Sequence, residues 1–194
     1  MQKFINFLIS TFNNRKTLFL ICASIFIVGV ILGCVLTLSE DFICFYKDFL
    51  VGYFEKLFNK KGVFSFLIKR ILTCSLILTL IFLLSLNKVT FYVIFFILFY
   101  RAFILGLALK LFLSNLLLNG AFIFLFLVFI NAVCFSLAII FYILSTFNKF
   151  EKINKCNINY LLNKLLFSII IAILGCIIEF IFLALIIRPL NFYF

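Results

Sequence analysis

The sequence predicts an all-α integral membrane protein of about five transmembrane helices, with an amphipathic interfacial helix after the first span. Two observations carry that prediction. Of the 194 residues, 68% are hydrophobic and 12% charged, with a mean hydropathy of +1.38. A soluble domain is about 45–50% apolar and about 25% charged. The charges are also clumped, and residues 17–39, 71–87 and 111–148 hold none. Uncharged apolar runs of about 18 residues or more read as membrane-spanning helices. A soluble enzyme, a secreted disulfide module and a disordered chain are excluded together. Residues 1–194 read as a single polytopic membrane domain.

The first span covers 17–39. At about 1.5 Å per residue it extends about 34 Å, enough to cross the hydrocarbon with a slight tilt. Gly29 and Gly33 stand four apart within it, the spacing that lets two helix backbones approach closely. Both are candidate helix-packing residues.

Residues 42–60 form the predicted interfacial helix. Phe42, Phe45, Tyr46, Phe49, Leu50, Tyr53, Phe54, Leu57 and Phe58 recur with helical period, and charges take the other face or the ends. Such an aromatic stripe suits the membrane interface, the protein's own spans or a partner surface. Phe45, Phe49 and Tyr53 are therefore candidate docking residues, for lipid or for a partner. Gly62 is the expected stop.

Lys69-Arg70 then introduces a second span at 71–87. Lys88 leaves almost no loop before a third at 89–109, so these two form a tight helical hairpin. The uncharged stretch from Leu111 to Asn148 is too long for one helix, at about 57 Å. The turn signal Asn119-Gly120 places the break at 115–120, with a short interfacial or re-entrant helix at 111–118 and a fourth span at 120–146. A polar loop covers 149–164, the fifth span 165–187, and Arg188-Pro189 closes it.

With five spans the termini lie on opposite sides. Each side collects eight basic residues, so the positive-inside tally is level. The basic flank before the first span and the Lys-rich loop at 149–164 favour a cytoplasmic N-terminus and an external C-terminus.

Arg101 and Glu179 fall inside predicted spans. An ionisable residue near the bilayer centre costs about 2.5–3.5 kcal/mol on insertion scales and usually finds a partner. Arg101 lies about 18 Å into its span and Glu179 about 21 Å into its own. Matched depth makes them candidates for one intramembrane pair.

The chemistry available is narrow. The chain has no His and no Trp, and 17 Lys plus Arg against six Asp plus Glu give a formal charge of +11. Seven Cys at irregular spacing read as small buried hydrophobes, not as a disulfide or metal set. No phosphate loop, nucleophile elbow or zinc signature occurs, so no catalytic residue, cofactor or metal is expected. The basic residues sit at segment ends, which fits anionic lipid headgroups and not nucleic acid.

The pattern resembles the stage II sporulation protein M family, membrane proteins of spore-forming Firmicutes. The likeness runs through Val28-Gly29-Val30-Ile31-Leu32-Gly33, the aromatic segment at 42–58, Phe99-Tyr100-Arg101-Ala102-Phe103-Ile104-Leu105-Gly106, Asn119-Gly120 and Cys176-Ile177-Ile178-Glu179. Arg101, Gly106, Gly120 and Glu179 match positions expected of the family, and Gly106 joins the candidate packing residues. One departure is Phe129-Ile130-Asn131, where the family often carries a Pro ahead of the Asn. The resemblance implies a non-enzymatic scaffold in the cell membrane at the sporulation septum. Its implied partners are two peptidoglycan hydrolases, stage II sporulation proteins D and P, acting during forespore engulfment. Beyond these and the lipid bilayer, a second copy of the chain, as a homo-oligomer, is a further candidate partner. The alternative is a transporter or permease subunit using Arg101 and Glu179.

Overall fold

Apolar sequence inside a bilayer must satisfy its own backbone hydrogen bonds, which leaves helices and closed barrels as spanning structures. The computed structural model describes residues 15–37, 39–41, 43–45, 60–124, 128–152 and 158–182. Among these the chain is all-α, with six helices of four residues or more. They are α1 (Lys16–Val35), α2 (Lys60–Leu84), α3 (Lys88–Phe91), α4 (Val93–Phe124), α5 (Ile130–Lys152) and α6 (Ile158–Phe182). Five stretches are long and apolar enough to cross a membrane: Lys16–Val35, Phe64–Leu84, Val89–Ser114, Ile130–Phe147 and Ile158–Phe182. The protein is an all-α, multi-pass membrane protein.

α5 lies at the centre. Every residue from Ala138 to Thr146 is buried, including the polar Tyr142, Ser145 and Thr146, groups that a membrane helix turns toward protein and away from lipid. α6 packs along it, α2 packs on α6, and α1 packs on α4. Outward faces carry Leu20, Ile27, Leu72, Leu76, Phe96, Leu166 and Leu174, all well exposed, and these suit contact with lipid chains. Several polar groups inside the bundle are bonded internally. Ser85 Oγ lies 2.5 Å from Tyr142 Oη, and Tyr160 Oη donates to the Ser145 carbonyl at 3.0 Å.

The tight hairpin between the second and third spans is present. The Asn87 side chain accepts from the Val89 N–H at 3.1 Å, and Thr90 Oγ1 donates to the Leu84 carbonyl at 2.6 Å. These bonds cap α3 and tie it back to the end of α2.

Several boundaries differ from expectation. α2 begins at Lys60, so Gly62 lies inside a helix and the apolar crossing stretch starts at Phe64, not at 71. α4 runs unbroken through Asn119-Gly120 to Phe124, so there is no break at 115–120 and no separate helix at 111–118. A glycine within a helix costs about 1 kcal/mol. A break at membrane depth exposes peptide groups at several kcal/mol each, so the helix continues. A π-type turn at 128–129 instead precedes α5, and the fourth span is Ile130–Phe147, not 120–146. The loop expected at 149–164 is shorter, because α5 reaches Lys152 and α6 starts at Ile158. The fifth span is accordingly Ile158–Phe182, with 183–187 outside the described residues.

Of the predicted interfacial helix, residues 43–45 are helical. Phe45 is 69% exposed. Most of the stripe, including Phe49 and Tyr53, lies outside the described residues.

Candidate functional site

Small residues set how closely the helices approach. A Cβ added at Gly29 would lie 2.8 Å from Ala102 Cβ and 2.9 Å from the Phe99 carbonyl oxygen on α4. One added at Gly33 would collide with the Phe103 carbonyl, and one at Gly106 with the Val30 carbonyl. Gly29 and Gly33 of α1 and Gly106 of α4 therefore form one backbone-to-backbone seam. Cys34 Sγ donates to the Gly106 carbonyl at 3.3 Å across it. Lys110 Nζ closes the far end by donating to the Leu36 carbonyl at 2.5 Å, past the last turn of α1.

A similar contact joins α5 and α6, where a Cβ on Gly175 would lie 2.6 Å from Cys134 Cβ. Gly175 belongs to the buried face of α6 with Leu161, Leu165, Ser168, Ala172, Cys176 and Glu179. The helical period of that face carries Glu179 into the bundle, where it is 1% exposed.

The partner of Glu179 is not Arg101. Its Oε2 accepts from Arg70 Nε of α2 at 3.4 Å, with Arg70 34% exposed. The same oxygen accepts from Asn131 Nδ2 of α5, so one carboxylate ties three helices together. Oε1 is buried with no hydrogen-bond partner among the described residues. The expected Arg101–Glu179 pair is thus corrected, and the reason is register. Glu179 meets Asn131 on α5, whereas Arg101 stands over Phe135, four residues and about 6 Å further along the same helix. Arg70, about 9 Å past Phe64 on an antiparallel helix, reaches the level of Glu179.

Arg101 instead stands over the Phe135 ring of α5, its guanidinium carbon 4.7 Å from the centroid. It forms no ion pair among the described residues, and its buried Nε has no hydrogen-bond acceptor there. A desolvated cation–π contact is worth about 2 kcal/mol, below the cost of about 2.5–3.5 kcal/mol for an arginine at this depth. Beside it a cavity of about 130 Å³ opens between α2, α4 and α5, with Arg70, Arg101, Asn131 and Ser136 among its lining residues.

Cys74 and Cys176 sit next to this cluster, their sulfurs 4.0 Å apart, and both are buried free thiols. Cys22 is buried as well. Among the described residues no three His, Cys, Asp or Glu side chains gather as a metal set.

Sequence reasoning missed Arg70, Asn131 as its companion on Glu179, and Gly175. A signal for Arg70 was present, because Val63, Phe64, Phe66, Leu67 and Ile68 already form apolar sequence ahead of it. Asn131 entered the sequence reading only within Phe129-Ile130-Asn131. Comparison with known protein families, curated proteins and solved structures returns no match to this chain.

Proposed function

We propose that the chain is a non-enzymatic membrane scaffold resembling stage II sporulation protein M. It recruits the peptidoglycan hydrolases, stage II sporulation proteins D and P, at the sporulation septum during forespore engulfment. In this reading it lies in the cell membrane with a cytoplasmic N-terminus and an external C-terminus, so the segment after α1 faces the wall. The observation that carries the reading is the use of Glu179. This deeply buried carboxylate is engaged by Arg70 and Asn131 from two other helices, a bracing role suited to a rigid platform. The aromatic segment supplies the docking face, and Phe45 at its start is exposed.

Replacing Phe45, Phe49 and Tyr53 together by Ser tests the proposal. The triple variant is expected to insert and accumulate normally yet lose co-purification with both hydrolases from sporulating cells. Retention of both hydrolases with normal engulfment would make the stripe a lipid anchor and end the scaffold mechanism. The permease reading draws on the cavity beside Arg101. Glu179→Gln separates the two readings, since a scaffold keeps its partners while proton-coupled transport stops.

A further inference from the structure

The polar cluster carries more positive than negative charge. Two guanidinium groups, Arg70 and Arg101, line the cavity, and one carboxylate, Glu179, stands beside them, already committed to Arg70 and Asn131. Arg101 is left with an aromatic face and no counter-charge among the described residues. Its Nε is sealed from solvent without an acceptor among the described residues. A buried donor without a partner and an uncompensated cation both call for an anion at this place.

We infer that the cavity between α2, α4 and α5 is a binding site for a phosphate-type oxyanion, held by Arg101 with Arg70 at its side. Guanidinium groups are planar and weakly hydrated, and they present forked N–H donors that match phosphate oxygens. Asn131 and Ser136 add polar groups on the α5 wall, while Ile104, Leu105 and Ala108 make the α4 wall beyond Arg101 apolar. About 130 Å³ accommodates one tetrahedral oxyanion with some of its water, given about 30 Å³ per water. Such a group comes either from an anionic phospholipid headgroup, for which basic pockets between membrane helices are suited, or from free inorganic phosphate. The site goes beyond the scaffold reading and does not depend on it.

The test uses the full chain purified in detergent and reconstituted into phosphatidylcholine nanodiscs. One arm adds phosphatidylglycerol to the disc and the other adds inorganic phosphate to the buffer. Thermal unfolding and native mass spectrometry read the bound anion. At least one arm is expected to raise the melting midpoint of the unmodified protein and to give a one-to-one adduct. Arg101→Gln should weaken that binding about tenfold or more, the value of a charge-assisted hydrogen bond. Stabilisation by phosphatidylglycerol alone identifies a lipid headgroup, and stabilisation by phosphate alone identifies a free anion. Ala108→Leu, which fills the cavity and keeps both arginines, should show the same loss and serves if Arg101→Gln does not fold. Lys69→Gln, an exposed neighbour on α2, should bind like the unmodified protein. No stabilisation in either arm, unchanged binding by Arg101→Gln or Ala108→Leu, or an equal loss in Lys69→Gln would overturn the site.

Discussion

Glu179 and the two arginines near it show how differently two similar charges are held. Arg70 answers a carboxylate that is 1% exposed, so removing it strands a buried negative charge. Arg70→Leu should therefore destabilise the protein by about 3 kcal/mol, the low end for a buried pair because Arg70 is itself 34% exposed. Arg70→Leu with Glu179→Leu should recover most of that loss, since the stranded charge is gone. Among the described residues, Arg101→Leu leaves no carboxylate behind and forfeits only the contact with Phe135. Its cost should stay within about 1 kcal/mol, because the lost cation–π energy is offset by the relieved insertion penalty. Unfolding in mixed micelles measures all three. If Arg101→Leu proved as damaging as Arg70→Leu, the assignment of Glu179 to Arg70 would be wrong.

At the scale of elements, α1 is attached to the bundle chiefly through its seam with α4. Gly33 and Gly106 meet backbone, which cannot rotate away as a side-chain tip can. Alanine in place of glycine inside a helix normally stabilises by about 1 kcal/mol. Here the sign should reverse. Gly33→Ala and Gly106→Ala should each destabilise by about 2 kcal/mol, the cost of overpacking, with the melting midpoint in detergent as the measure. An unchanged or higher midpoint would mean that α1 packs elsewhere. Gly120 illustrates the contrast. It is matched by the same resemblance, yet α4 runs through it with no break.

For the whole molecule, five crossings would put the segment after α1 and the segment between α5 and α6 on opposite faces of the membrane. In a Cys-free background, a cysteine retained at position 44 and one retained at position 156 should react from opposite sides with a membrane-impermeant maleimide. Labelling from the same side would remove one span from the topology. The same experiment reports which face is cytoplasmic, a point on which the tally of basic residues over the spans predicted from sequence is level.

Membrane class, helical architecture and the existence of five spans were legible in the sequence, because lipid makes them local properties. An uncharged apolar run of sufficient length has to close its own hydrogen bonds wherever it lies. The Gly29 and Gly33 spacing was legible for the same reason, as a property of one helix face. The span boundaries were less so. Lys69-Arg70 looked like a border, yet the helix begins at Lys60 and carries Arg70 inside. Asn119-Gly120 looked like a turn, yet it stays helical. The tertiary structure alone decided which cation answers Glu179, that Asn131 joins them, and that Arg101 is left facing a cavity. Those outcomes depend on the axial register and rotation of separate helices, where each residue shifts a side chain by about 1.5 Å and about 100°. Hydropathy along one chain carries no record of either.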